Sequence, residues 1–229
     1  MHMDYHAFTA ALVQNLEADP RVLGVVALGS MAEHDRLPDR YSDHDFFVIT
    51  EAAAELRETT SWLPQHDELA LWFRETPHGC KGIYDDGHLI EYAVFTPDEL
   101  RVARANDYRV LLDRERIAER MAEIATPPAP ADHPWLHGMF LSNLLVASQR
   151  AQRGELPSAR WMLAHAMRFL VSLLGGGGDN LDPLRRFQHY GLEQAMRLGP
   201  VSAARELLSI YEKECGGDAR AIAAIRAVL

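Results

Sequence analysis

Cysteine is scarce: the 229 residues hold two, Cys80 and Cys215, far apart in the chain. Neither a disulfide framework nor a thiolate metal site follows from such a pair, and both read as packing residues. Long apolar runs are missing. No stretch approaches the roughly 18–20 consecutive apolar residues of a membrane span. The opening MHMDYHAF has no basic start followed by an apolar run, so the expectation is a cytoplasmic protein without membrane association. Positive charge is also in deficit, with 23 Lys+Arg against 33 Asp+Glu and a formal charge of −10. An acidic surface repels polyphosphate backbones and makes nucleic acid an unlikely partner, while the same field attracts a cationic small molecule. Apolar residues at 48% and charged residues at 24% leave no room for a disordered or fibrous class. The length suits one large domain or two small ones.

The first half mixes helix and strand signals. Residues 5–16 carry apolar positions at helical spacing, with Pro20 beyond their end. Residues 22–28 form a β-branched run stopped by Gly29, and 46–49 a second apolar run; the polar stretch between them, with Pro38, predicts a loop holding at most a short helix. Further strands are predicted at 69–74, 79–84, 88–95 and 108–112. Thr96-Pro97-Asp98-Glu99 has the composition of a capping box and predicts a helix start. Composition then shifts at the proline-rich 126–133, read as a linker. Helices are expected at 135–153, ending at Gly154, at 157–174, ending at Gly175, and again from Asp182-Pro183. The run Gly175 to Gly178 reads as a flexible helix connection. The fold class is therefore α+β: an N-terminal mixed sheet with flanking helices over 1–125, then an all-α helical bundle domain over 134–229.

Chemistry concentrates in one constellation. Gly29-Ser30 follows a buried strand, where glycine permits a tight backbone approach and serine offers a hydroxyl and an amide to a phosphate oxygen. Ser42-Asp43-His44-Asp45 leads into the apolar run at Phe46. If Asp43 and Asp45 open a strand, its period of two puts both carboxylates on one face and turns His44 away. Two converging carboxylates suit a hard cation such as Mg²⁺, which leaves other positions to water and substrate phosphates. Glu91 lies inside another strand, between Ile90 and Tyr92, where an acid needs a partner.

The order Gly29-Ser30, Asp43-x-Asp45 and Glu91 resembles the nucleotidyltransferase superfamily related to polymerase β, in its small antibiotic-modifying branch. There, aminoglycoside and lincosamide nucleotidyltransferases join a mixed-sheet catalytic domain to a helical C-terminal domain. Motifs carry the resemblance over roughly residues 20–115. It implies that Gly29, Ser30 and Ser42 contact the triphosphate of ATP or another NTP. It implies further that Asp43, Asp45 and Glu91 are the catalytic carboxylates, ligands for two Mg²⁺ ions, with Glu91 as ligand or general base. A basic residue common in relatives shortly after Gly-Ser is replaced by Glu33, which leaves Arg36, Arg40 and Lys81 as candidate triphosphate cations. The implied acceptor is a hydroxyl of a small molecule, an aminoglycoside or lincosamide antibiotic, with the helical domain contributing to its pocket and a homodimer compatible with the layout. Nucleotidylation of a protein or RNA in the manner of toxin–antitoxin relatives, and a degenerate nucleotide-binding sensor, are the alternatives.

Other polar and aromatic residues have plainer readings. His34, His44 and His66 sit in polar contexts and read as surface histidines. His133 and His137 lie four apart on a predicted helix, but no Glu completes a helical zinc motif. Trp135, Phe140, Trp161, His165 and Phe169 are expected mostly to pack between helices, with one or two left to line an acceptor pocket.

Overall fold

A computed structural model describes residues 4–34, 37–105, 107–124, 133–175 and 190–229. The chain divides into two compact units, Met1–Thr126 and Pro127–Leu229.

The first unit opens with α1 (Tyr5–Glu17), whose first turn is capped by the Asp4 carboxylate accepting from the Ala7 amide at 2.7 Å. Strand β1 (Val22–Leu28) runs into a 3₁₀ turn at Gly29–Ala32, and β2 (His44–Thr50) returns beside it. After the one-turn α2 (Ala53–Leu56) come β3 (Leu69–Arg74), β4 (Gly79–Tyr84) and β5 (Leu89–Phe95), then β6 (Tyr108–Asp113) and α3 (Ile117–Ile124). The six strands form one mixed sheet in the order β3-β4-β5-β2-β1-β6. All neighbours are antiparallel except β2 and β5, which run parallel.

Strands β1 and β2 are apolar at nearly every position because both of their faces are covered. Val25, Ala27, Phe46 and Val48 meet Phe8, Leu12 and Leu16, the i, i+4, i+8 stripe of α1. On the opposite face Val26, Leu28, Phe47 and Ile49 pack with Phe95, Leu100, Ile117 and Met121. A Cβ on Gly24 would stand 2.5 Å from the Ile117 side chain, so the close seat of α3 on the sheet requires glycine there. The Asp113 carboxylate accepts the amides of Ile117 and Ala118, at 2.8 and 3.1 Å, and so satisfies the start of α3.

The predicted capping box at Thr96 forms, but it leads only into a four-residue 3₁₀ turn, Glu99–Val102. The Thr96 amide donates to Glu99 Oε2 at 2.8 Å and the Glu99 amide to Thr96 Oγ1 at 3.2 Å. The helix does not propagate because Leu100 and Ala103 are drawn into the sheet core and the chain must return to β6. A longer correction concerns His44. It is fully buried, not a surface residue: the alternation that puts Asp43 and Asp45 on one face puts His44 with Phe46 on the core face beneath α1. His66 is exposed as expected.

The second unit is helical throughout its described residues. Helices α4 (His133–Gln152) and α5 (Leu156–Leu173) are joined at Gly154, whose φ of +80° suits the reversal; α6 (Leu192–Arg197), α7 (Pro200–Cys215) and α8 (Ala219–Arg226) follow. Phe140, Leu144 and Ala147 pack with Leu163, Leu170, Leu207 and Tyr211. His137 is taken up by packing, its Nδ1 lying 2.5 Å from the Tyr211 hydroxyl. Phe140 is core and Phe169 partly so, but Trp135 and Trp161 are exposed, at 54% and 67%. Neither tryptophan belongs to the packed helical core. The linker expected at 126–133 lies outside the described residues but for His133, which begins α4. The helix start at Asp182-Pro183 and most of the glycine run also lie outside them.

Candidate active site

The acids fall where a strand period of two places them. Asp43 immediately precedes β2 and Asp45 is its second residue; both are half-buried while Ser42, His44 and Phe46 are buried. Across the parallel pairing Asp45 stands opposite Glu91, and across the next, antiparallel pairing Glu91 stands opposite Lys81. Asp45, Glu91 and Lys81 therefore form one row over three adjacent strands on a single face of the sheet. Lys81 Nζ lies 3.1 Å from Glu91 Oε1 and 3.2 Å from Glu75 Oε1, and these two carboxylates hold its ammonium above the usual lysine range. The partner that a strand acid requires is a lysine.

The Gly-Ser segment lies beside Asp43. Gly29 has φ +50°, and a Cβ there would touch nothing within 4 Å, so conformation and not space selects glycine. Ser30 is next in the 3₁₀ turn, and the Tyr5 hydroxyl donates to the Asp43 carbonyl at 2.9 Å. Burial pushes the Tyr5 hydroxyl up to about 12; Ser30 opposes the shift, while the charges of Asp43, Glu33 and Asp45 add to it. Three carboxylates thus bear on one phenol at the mouth of the turn.

Glu33 closes the turn in the left-handed region, φ +60°, and does not leave its charge unanswered. Arg109 of β6 reaches it with Nη1 at 2.9 Å and donates Nη2 to the Met31 carbonyl at 3.2 Å. Its Nε is buried with no partner among the described residues. Arg109 was not singled out by the sequence, because only the β1–β6 register, which sets it opposite Ala27, brings it to the turn. Arg36 lies outside the described residues. Arg40, Ser42 and Asp43 share the wall of a cleft of about 680 Å³ with Tyr41, Gly87, His88 and Leu89. The Arg40 guanidinium lies over the Tyr41 ring, 4.4 Å from its centroid. Ser42 is buried and its hydroxyl is occupied by Asp39, accepting from the Asp39 amide at 2.9 Å and donating to Asp39 Oδ1 at 3.2 Å.

His44 anchors the strand that carries the acids. Its ring stacks on Tyr5 with centroids 3.8 Å apart, and Nε2 contacts the Tyr5 carbonyl at 3.1 Å and Thr9 Oγ1 at 2.9 Å. A carbonyl can only accept, so Nε2 carries the proton and Nδ1 accepts from His88 Nε2 at 2.7 Å. Burial, then the neighbouring His88, drives the His44 ring down to about 3, and it stays neutral.

No group of three or more His, Cys, Asp or Glu side chains among the described residues is gathered closely enough to hold a metal ion. Glu91 is turned to Lys81, which leaves Asp43 and Asp45 as paired oxygen donors on one face. That donor set fits Mg²⁺, which binds through one or two protein carboxylates and completes its shell with water and phosphate oxygens.

A family model described as streptomycin adenylyltransferase matches residues 4–169. No curated protein matches the chain. Among solved structures, the crystal structure of an aminoglycoside 6-adenyltransferase from Bacillus subtilis is similar at 13% identity, covering 98% of this chain and 92% of that one with a TM-score of 0.37.

Proposed function

The chain belongs to the streptomycin adenylyltransferase family and is an adenylyltransferase; we propose that it moves AMP from ATP to a hydroxyl of a small cationic antibiotic and releases pyrophosphate. The observation that carries this reading is the carboxylate row beside a phosphate-sized turn. Asp45 and Glu91 are register partners, Asp43 shares their face, and the Tyr5 hydroxyl holds the Asp43 carbonyl at 2.9 Å.

Asp43 and Asp45 would hold Mg²⁺, which when bound supplies positive charge to the phosphate oxygens and makes the α-phosphorus more electrophilic. The protein's own groups do the rest. The Gly29-Ser30 turn offers backbone amides and a hydroxyl to the β- and γ-phosphates, and Arg109 sets a guanidinium at the end of the same turn. Glu91, aimed by Lys81, accepts the proton of the acceptor hydroxyl as its oxygen attacks the α-phosphorus. One phosphorus–oxygen bond forms to the acceptor and the one to pyrophosphate breaks. The formal charge of −10 favours a cationic acceptor. A degenerate site, suggested by the acid at Glu33, loses its main support because Arg109 meets that charge.

The test is incubation with ATP and Mg²⁺ against a panel of cationic antibiotics that includes streptomycin, followed by mass spectrometry and a pyrophosphate assay. The expected result is one drug class gaining one AMP together with stoichiometric pyrophosphate. Labelling of a protein or RNA without any drug modified would replace the acceptor. ATP bound with no turnover on any acceptor would make the chain a sensor.

A further inference from the structure

The end of the sheet that carries the acids has two sides. Strand β2 lies between β1 and β5, antiparallel to one and parallel to the other, so the Gly29-Ser30 turn, Asp43 and Leu89 all stand at the same end. At roughly 4.8 Å per strand, the turn and Leu89 are about 10 Å apart with Asp43 between them. The turn is the side that offers amides to the β- and γ-phosphates. The other side is the cleft of about 680 Å³ walled by Arg40, Tyr41, Asp43, His88 and Leu89. Small-molecule sites span about 300–1,000 Å³, and this cleft falls inside that range.

Tyr41 stands out in that wall. Its backbone is fixed, because its amide donates to Asp39 Oδ1 at 2.9 Å and the Ser42 amide to the Asp39 carbonyl at 3.0 Å. Its side chain is nevertheless 75% exposed. The Arg40 guanidinium lies over the ring, 4.4 Å from its centroid, and hydrogen-bonds the hydroxyl. An aromatic ring beside a guanidinium attracts a planar base through stacking and cation–π contact. The same guanidinium repels a cationic acceptor. At the α-phosphorus the nucleoside and the pyrophosphate are held through different oxygens, and in-line attack sets the acceptor opposite the pyrophosphate. With the pyrophosphate on the turn and the acceptor hydroxyl at Glu91, two residues along β5 from Leu89, the cleft is the room left for the nucleoside.

We propose that Tyr41 is the stacking platform for the nucleobase of the NTP, in the cleft beside Asp43, and that the site takes purine triphosphates ahead of pyrimidine ones. This rests on the functional reading above, in which the Gly29-Ser30 turn holds the phosphates and Asp43 the metal.

Inorganic tripolyphosphate presents the phosphates without a base and so separates the two sides of the site. The experiment titrates ATP, GTP, UTP and tripolyphosphate, each with Mg²⁺, into wild type, Tyr41→Ala, Tyr41→Phe and Tyr41→Trp by calorimetry, with thermal melts and steady-state transfer to the best acceptor. Wild type should bind ATP and GTP at least about threefold more tightly than UTP. Tyr41→Ala should bind ATP about tenfold more weakly and tripolyphosphate within about twofold of wild type, with the purine preference gone, as expected for one lost base–aromatic stack. Tyr41→Phe and Tyr41→Trp should keep ATP affinity within about threefold, because each retains a ring. All three variants should melt within about two degrees of wild type, since the side chain is exposed. A Tyr41→Ala protein that binds ATP within about twofold of wild type overturns the inference. So does an equal loss of ATP and tripolyphosphate, which would make Tyr41 a support for the acid-bearing loop. A raised KM for the acceptor with unchanged ATP affinity would give the cleft to the acceptor and overturn it as well. A wild-type protein that binds neither ATP nor tripolyphosphate overturns the functional reading itself, and this inference with it.

Discussion

Lys81 Nζ lies 3.1 Å from Glu91 Oε1, the two residues facing each other from neighbouring antiparallel strands. The lysine expected to neutralise a triphosphate is ion-paired to this carboxylate, and Glu75 meets it from the other side at 3.2 Å. That relationship decides what its loss does.

Lys81→Met should lower kcat by about tenfold while ATP affinity stays within about twofold, because Glu91 loses its aim and the phosphate turn loses nothing. Lys81→Arg should recover part of the rate. Steady-state kinetics with an independent ATP titration checks this. A large rise in ATP Kd with kcat preserved would return Lys81 to the nucleotide.

Asp43→Asn and Asp45→Asn should each reduce transfer by at least about a hundredfold with the fold intact, since each removes a charge without changing side-chain size. Without metal the variants should melt at or above the wild-type temperature, because neighbouring carboxylates repel. Circular dichroism melts in chelator alongside activity in Mg²⁺ give both readings. Near-wild-type turnover in either variant is incompatible with the assigned role.

Arg109→Met should weaken ATP binding and destabilise the first unit by about 1–3 kcal/mol, because it strips Glu33 of its partner and the Met31 carbonyl of a donor. Adding Glu33→Gln should restore part of both losses by removing the uncompensated charge. The comparison needs denaturant unfolding and ATP titration of the single and double variants. No recovery on adding Glu33→Gln would mean that the pair is not coupled.

Glu99→Gln should show a pH-dependent loss of stability. Hydrogen bonds from the Arg57 guanidinium, more than any other cause, hold the Glu99 carboxyl down at about 2, below its ordinary 4.5. A folded pKa below the unfolded one makes this contribution fully present above about pH 4.5 and lost as the pH falls towards 2. The melting-temperature gap between wild type and Glu99→Gln should therefore be widest near pH 7 and close through that window. A gap that stays constant between pH 7 and pH 3 would assign the effect to packing.

What the sequence discloses follows from the range of the forces involved. Apart from the glycine- and lysine-bearing β4, the strands are visible in it as short, largely apolar runs, and burial on both faces of β1 and β2 strengthens the signal. Asp43 and Asp45 are legible for the same local reason, a period of two. The same alternation turns His44 away from the acids and towards the side of Phe46, and the polar residues around it mask that burial. Helix α3 was missed because eight residues ending near a proline-rich stretch give a weak pattern, and its seat depends on the absence of a side chain at Gly24, nearly a hundred positions earlier. Tyr5, Arg109 and the Lys81–Glu91 pair were out of reach altogether. Each acquires its role from strand register or from where a helix docks, and neither is written in local composition.

The single parallel pairing in the sheet has a kinetic consequence. Strands β6, β1 and β2 form one antiparallel group and β3, β4 and β5 another, and only the β2–β5 seam joins them. Asp45 belongs to one group and Glu91 to the other, so neither group alone carries the pair. The β2–β5 and β1–β6 pairings both join strands distant in the chain and close late, after the local hairpins. Recovery of enzymatic rate during refolding would therefore time the closing of these long-range pairings, whereas recovery of strand signal would begin with the hairpins that precede them.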